Sequence, residues 1–276
     1  MMWTFVLHAP IYGFALALWR TRDQFDFVIK NIINQPPSAP PTMPVPWDLE
    51  TATYVNRPNR YVTRIRIQGE VLPSHLPDPG RLKELLLPGV ELLVQHSPGH
   101  NRKTDYTTHM VRNGDIWVCI NTLLPNRFTD FLVTGGHLPF LKNWAVARRE
   151  VTEGHSRFDF LLEHGDQRLF LEVKSVTYVE DGTAQFPDAV TERGARHARH
   201  LAELVRSGQQ AMMLFVIQRG DADRFMPMWD RDPNLGMALM EAADAGVAMH
   251  AVKTEVRPDS FIYRGEVPID LTPPAD

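Results

Sequence analysis

The chain has 276 residues, 43% of them hydrophobic and 22% charged, and a single cysteine. This is ample apolar material for one large or two modest cores, while one cysteine excludes an internal disulfide and no Cys/His cluster at zinc spacing accompanies it. A net charge of −4 argues against a protein that coats nucleic acid through a diffuse basic surface, and the cysteine usage suits a reducing cytoplasm.

Residues 1–47 begin with a mostly apolar run, Trp3 to Trp19, interrupted by His8, Pro10 and Gly13. The run lacks a basic leader and a small-residue cleavage site and is short for a spanning helix, so no membrane anchor is expected. A proline tract follows from Gln35 to Pro46 and has the composition of a linker. Residues 1–47 are therefore expected to be a disordered extension and linker.

Residues 48–125 are patterned as short strands: Tyr61 to Ile67, Glu70 to Ser74, Val90 to Gln95, Thr107 to Val111 and Ile116 to Asn121, with one helical insert from Gly80 to Leu87. Five short strands between Gly and Pro turns suit a small barrel of the OB type, a fold that often binds single strands on one face. Cys119, in the last of these apolar strands, is expected to be a small buried hydrophobe.

From residue 126 to the end the order changes. A helix is expected from Arg127 to Val133, with Asn121, Asn126 and Arg127 either lining a cleft or capping that helix. Strands follow at Trp144 to Thr152, Arg157 to Glu163 and Leu169 to Tyr178. A helix from Thr191 to about Arg206, a strand Ala211 to Gln218, a helix Pro233 to Ala245 and a strand Val247 to Thr254 complete a mixed sheet between helices, an α/β arrangement. Thr191 is placed to cap its helix.

Two of these strands carry charge where an apolar strand should not. Ser156-Arg157-Phe158-Asp159-Phe160-Leu161-Leu162 and Leu169-Phe170-Leu171-Glu172-Val173-Lys174-Ser175-Val176 are joined by a polar turn, as in a hairpin. Strand side chains alternate, so Glu172 and Lys174 share a face, and a hairpin can bring Asp159 beside Glu172. Adjacent carboxylates repel and are stable together when a hard cation sits between them. A bound Mg²⁺ or Mn²⁺ acidifies water and polarises a phosphoryl oxygen, with Lys174 available to orient that water. The competing assignment is a structural salt bridge in a hairpin.

The trio Asp159, Glu172 and Lys174 resembles the core of PD-(D/E)xK nucleases. The flanking stretches Pro77-Asp78-Pro79-Gly80-Arg81-Leu82-Lys83-Glu84-Leu85, Asn121-Thr122-Leu123-Leu124-Pro125-Asn126-Arg127, Glu172-Val173-Lys174-Ser175-Val176-Thr177 and Phe186-Pro187-Asp188-Ala189-Val190-Thr191-Glu192-Arg193-Gly194 are similar, in order, to the signatures of the SfsA family of sugar fermentation stimulation proteins. The resemblance implies an OB-like barrel at residues 48–125, a PD-(D/E)xK nuclease-like domain at 126–276, DNA binding and a link to maltose-type sugar metabolism.

The expected function is metal-dependent hydrolysis of DNA or RNA phosphodiesters. Asp159 and Glu172 would hold Mg²⁺ or Mn²⁺, the Val173 carbonyl would add a ligand, Lys174 would orient water and Glu150 would serve as a third acid. Arg157, Arg193, His197, Arg81, Lys83 and Arg127 are the candidate phosphate contacts. The charge distribution agrees: residues 48–150 carry 13 Lys and Arg against 10 Asp and Glu, whereas residues 151–276 carry 13 against 21, as expected if carboxylates repel phosphate until a cation arrives. The alternative is a noncatalytic DNA-binding regulator of sugar genes. No membrane partner is expected; monomer and homodimer are both open.

Overall fold

The computed structural model describes residues 39–100 and 102–274. Within Pro41–Asp276, a single compact unit, strands β2 (Glu50–Asn59), β3 (Val62–Ile67), β4 (Glu70–His75), β5 (Glu91–His96) and β6 (Tyr106–Asn113) pair in the order β4-β3-β2-β5-β6. A short parallel pairing of Ser74 and His75 with Tyr106 and Thr107 closes them into a five-strand barrel. Alternation drives the closure: in β3, Thr63, Ile65 and Ile67 are buried while Arg64 and Arg66 face out. Thr108 binds both Thr63 (3.1 Å) and Ser74 (2.8 Å) through its hydroxyl, so polar groups inside the barrel are paired.

Two expectations for this region change. The first barrel strand is β2, which the sequence pattern missed, whereas β7 (Ile116–Cys119) leaves the barrel and hands the sheet to a later strand through Val256 and Trp117. Gly80 to Leu87 forms turns instead of a helix. The backbone groups a helix would use are taken by distant partners: Arg57 donates to the carbonyls of Asp78, Gly80 and Arg81, and the Leu82 N–H donates to Asp188 (2.6 Å). Leu82 sits at φ +50°, a left-handed conformation that interrupts helical backbone.

Beyond the barrel, helix α1 (Leu124–Thr134) precedes the antiparallel strands β8 (Ala145–Glu153), β9 (Ser156–His164) and β10 (Gln167–Val176). A small sheet, β11 (Tyr178–Glu180), β12 (Thr183–Phe186) and β14 (Arg224–Pro227), packs beside helix α2 (Glu192–Arg206). Strand β13 (Gln210–Ile217), helix α3 (Pro233–Asp244) and strands β15 (Ala248–Val256) and β16 (Ser260–Val267) complete the chain. β10, β13 and β15 are parallel neighbours, and β10 and β13 read as nearly continuous apolar runs because both faces of the sheet are covered. Phe128 and Leu132 of α1 pack on one face with Phe160, Leu171 and Leu214; Leu201 and Leu239 of α2 and α3 pack on the other with Phe170 and Phe215. The mixed α/β architecture with an N-terminal barrel is as expected.

Thr191 caps α2 by accepting the Gly194 N–H (3.0 Å), and Asp232 caps α3 by accepting the Leu235 N–H (3.0 Å) while taking the Thr191 N–H with its other oxygen (2.8 Å). The starts of the two helices are thus locked together.

The tract assigned as linker is ordered at its end. Strand β1 (Thr42–Pro44) pairs antiparallel with β16, Met43 and Val45 pack on the core, and Trp47 stacks on His109 at 3.9 Å between ring centroids. The remainder of the tract and the apolar run, residues 1–38, lie outside the described residues. Trp47→Ala is accordingly expected to lower stability by about 2 kcal/mol, less than for a fully buried aromatic because Trp47 is half-buried; the shift in urea midpoint measures it.

Candidate functional site

The β9–β10 ladder runs in regular register from Gln167 opposite His164 to Leu171 opposite Phe160. One step further the same register sets Glu172 across from Asp159, and there the ladder stops. The Asp159 carboxylate instead accepts the Val173 N–H (2.8 Å) on one oxygen and the Asn126 side-chain amide (2.7 Å) on the other. The strands part where the carboxylates meet.

Glu172 is buried, with 6% of its side chain exposed. One of its oxygens, Oε1, receives the Lys174 ammonium at 2.6 Å and His197 Nδ1 at 2.7 Å. The other, Oε2, is shut off from water and has no hydrogen-bond partner. Burial by itself would raise the Glu172 carboxyl, but Lys174 and His197 outweigh it and hold the group below the usual carboxylate range. Asp159 moves the other way: burial, then the charge of Glu172, raise it against the Val173 and Asn126 hydrogen bonds. Lys174 and His197 thus hold one carboxylate ionised while burial and that charge raise its neighbour, a divergence of the kind that marks candidate functional sites.

His197 comes from α2, four residues after Arg193, so the two share a helix face. Arg193 Nε donates to His197 Nε2 (3.4 Å), which leaves Nδ1 to carry the proton donated to Glu172. His197 is 2% exposed. It therefore holds Glu172 in place, which replaces the phosphate contact expected of it.

A cleft of about 470 Å³ opens beside Val173 and Lys174. Arg60, Lys174 and Arg193 supply its cations, and the Pro79–Gly80 turn and Asp188 face it from the barrel side and the β12–α2 connection. Gly80 is required here: a Cβ on it would stand 2.8 Å from Asp78 Oδ1 and 3.0 Å from Asp188 Oδ2. Asp188 in turn is bonded by Arg231 (2.8 Å). Asp78, almost wholly buried, has its carboxyl pushed up to about 6 by burial, with the neighbouring charge of Asp188 adding to the rise.

The other expected residues fall outside this cluster. By register Glu150 lies across β9 from Asp159, between the pairs Arg149–Phe160 and Val151–Phe158, but its side chain is 70% exposed and its nearest cation is Arg157 at 3.9 Å. Glu150 has φ +53°, an uncommon conformation for this residue type. Arg157, Arg127 and Lys83 are exposed, and Arg81 lines a separate pocket with Tyr178 and Arg231. Of the two asparagines left open, Asn121 caps the approach to α1 by accepting the Leu123 N–H (2.9 Å) and binds His109 (2.8 Å), whereas Asn126 reaches Asp159. Arg60 and Asn126 are additions to the candidate site, and only Asn126 had a sequence signal, its place in the Asn121–Arg127 motif.

Among the described residues, no helix is long and apolar enough to cross a membrane. Residues 55–120 match the family model "SfsA N-terminal OB domain" and residues 123–260 match "Sugar fermentation stimulation protein RE domain". The chain is 37% identical over 224 residues to the sugar fermentation stimulation protein homolog of Desulforamulus reducens, covering 81% of this chain and 93% of that one. It is 41% identical over 237 residues to the homolog of Symbiobacterium thermophilum, covering 80% and 94%. The structure resembles that of Pyrococcus furiosus SfsA in complex with Ca²⁺, with a TM-score of 0.77, 30% identity and coverage of 83% of this chain and 98% of that one. With the barrel, the α/β layers that follow it and family models matched over residues 55–120 and 123–260, this chain belongs to the SfsA family of sugar fermentation stimulation proteins.

Proposed function

We propose that the protein is a metal-dependent nuclease whose centre is the Asp159–Glu172 pair. The observation that carries the proposal is Glu172 Oε2, a buried carboxylate oxygen with no partner, next to a second, part-buried carboxylate. An unpaired buried acceptor is costly, and a hard dication with oxygen ligands satisfies it. Asp159, Glu172 and the backbone of Val173 are the groups that would hold Mg²⁺ or Mn²⁺. The Ca²⁺ complex of the P. furiosus relative supports an oxygen-ligand cation site in this family.

Such a cation would supply an acidified water and charge for the phosphorane-like transition state. The chain's own groups do the rest. Asn126 and the Val173 N–H fix the Asp159 carboxylate, His197 fixes that of Glu172, and Lys174, held at 2.6 Å from Glu172, orients the attacking water and offsets charge on the phosphate. Arg60 and Arg193 hold phosphates in the cleft. Water oxygen bonds to phosphorus, the bond from phosphorus to the leaving sugar oxygen breaks, the attacking water's proton passes to solvent, and the leaving oxygen takes a proton from solvent to depart as the hydroxyl. The barrel would carry the strand up to this cleft, as OB barrels do through one face.

The test is incubation of the purified protein with end-labelled single- and double-stranded DNA and RNA, with Mg²⁺, with Mn²⁺ or with EDTA. Cleavage of at least one substrate with metal and none with EDTA is expected. Binding without cleavage under every metal condition overturns the nuclease assignment in favour of a noncatalytic regulator.

A further inference from the structure

On the same helix as His197, one turn later, a second group of potential ligands converges. His200 and Glu203 are three residues apart on α2 and share a face, and His155 reaches them from the β8–β9 turn. One ligand atom from each of the three lies within 4.8 Å of the others. The His155 and His200 rings are stacked at 3.9 Å with 16° between their planes. His200 is 5% exposed, and its Nδ1 is buried with no hydrogen-bond partner. Gly154, at φ +51°, allows the turn to close over the ring: a Cβ there would come within 3.2 Å of it.

Two imidazoles and a carboxylate are a donor set for a borderline dication such as Zn²⁺, not for Mg²⁺ or Ca²⁺, which take oxygen. Burial, then the neighbouring His155, disfavour the protonated form of His200. Ligands about 2.1 Å from one ion must stand closer together than 4.8 Å, and His155 and Glu203, both exposed, have the freedom to close that gap.

We propose that His155, His200 and Glu203 form a zinc-class metal site, separate from the Asp159–Glu172 pair, that clamps the β8–β9 hairpin to α2. The clamp joins the two elements that the candidate catalytic centre needs in fixed relation. The hairpin carries Asp159 and α2 carries His197, and the Phe158 ring packs between His197 and His200 at 5.8 and 5.3 Å. The site does not depend on the nuclease reading.

The experiment uses the 276-residue chain without a tag, stripped with EDTA, desalted and titrated with Zn²⁺ against a chromogenic chelator in millimolar Mg²⁺. The expected result is one equivalent of Zn²⁺ bound, weakened at least about tenfold by His155→Ala and by Glu203→Gln and unchanged by Glu172→Gln. Zn²⁺ at about a hundredfold over Kd should raise Tm by roughly 5 °C or more in wild type and much less in the two variants. Both substitutions are at exposed residues, and equal Tm values in EDTA verify their folding. Absence of a bound equivalent, equal affinity in His155→Ala and Glu203→Gln, or loss of Zn²⁺ in Glu172→Gln each overturns the proposal.

Discussion

Glu172→Gln is expected to reduce metal-dependent cleavage by about a thousandfold or more while leaving nucleic-acid affinity at or slightly above the wild-type level. The substitution keeps the side chain's size but removes the charge that would retain a dication. It also puts an amide next to the Lys174 ammonium and His197, the two groups now satisfied by the Glu172 oxygen. Affinity is expected to survive because one fewer carboxylate on a face that meets phosphate relieves repulsion. Single-turnover cleavage in Mg²⁺ and a binding isotherm in EDTA separate the two effects. Asp159→Asn should behave alike, and Lys174→Ala should slow cleavage with less change in affinity, since it acts on the transition state. Parallel loss of binding and cleavage in Glu172→Gln would mean that the carboxylate supports the fold of the cleft and not the reaction. Its depressed pKa gives the fold a matching acid sensitivity: the stability Glu172 contributes is present above the ordinary carboxylate range and is lost as pH falls through its folded value.

Asp78 should produce the opposite pH dependence. Its carboxyl is raised from 3.8 to about 6 in the fold, chiefly by burial. A raised group stabilises the fold fully below its unfolded pKa, and that contribution disappears as pH climbs through the folded value. Between about pH 4 and pH 6 this amounts to about 3 kcal/mol at most, because each pH unit crossed in that window costs about 1.4 kcal/mol. Asp78→Asn keeps the oxygen that accepts the Gly80 N–H at 2.7 Å and removes the titration. The variant is therefore expected to match wild type near pH 4 and to exceed it by up to about 3 kcal/mol at pH 8, as measured by urea unfolding at the two pH values. Equal stability at pH 8 would show that Arg57, whose charge favours ionised Asp78, fully compensates the burial.

Alternation and helix capping are local rules, and the elements they govern were legible in the chain. The charged hairpin, the Thr191 cap and the α2 stripe need only neighbours a few residues away, so Glu172 and Lys174 could be placed on one face from spacing alone, and Asp159 beside them only through the hairpin. The barrel was legible as a count of short strands, yet its first strand went unseen because Arg57-Pro58-Asn59 at its end has turn composition. The same locality explains the helix expected at Gly80 to Leu87. Its apolar spacing is helical, but Arg57 and Asp188, 23 and 106 residues from the atoms they bind, claim its backbone.

What sequence spacing could not supply was partnership between segments far apart in the chain. Asn126 reaches Asp159 across 33 residues and His197 reaches Glu172 across 25, so neither could be assigned to the carboxylates from spacing. Glu150 shows the converse, because proximity along the chain suggested a third acid whose side chain the fold leaves in solvent. His155 lies 45 positions from His200, and no ligand spacing in the sequence signals their meeting; a hairpin folded onto a helix brings the rings to 3.9 Å. Side-chain periodicity is set by the local backbone, whereas the neighbours that tune a charge or complete a ligand set are set by packing, which follows only from the whole chain.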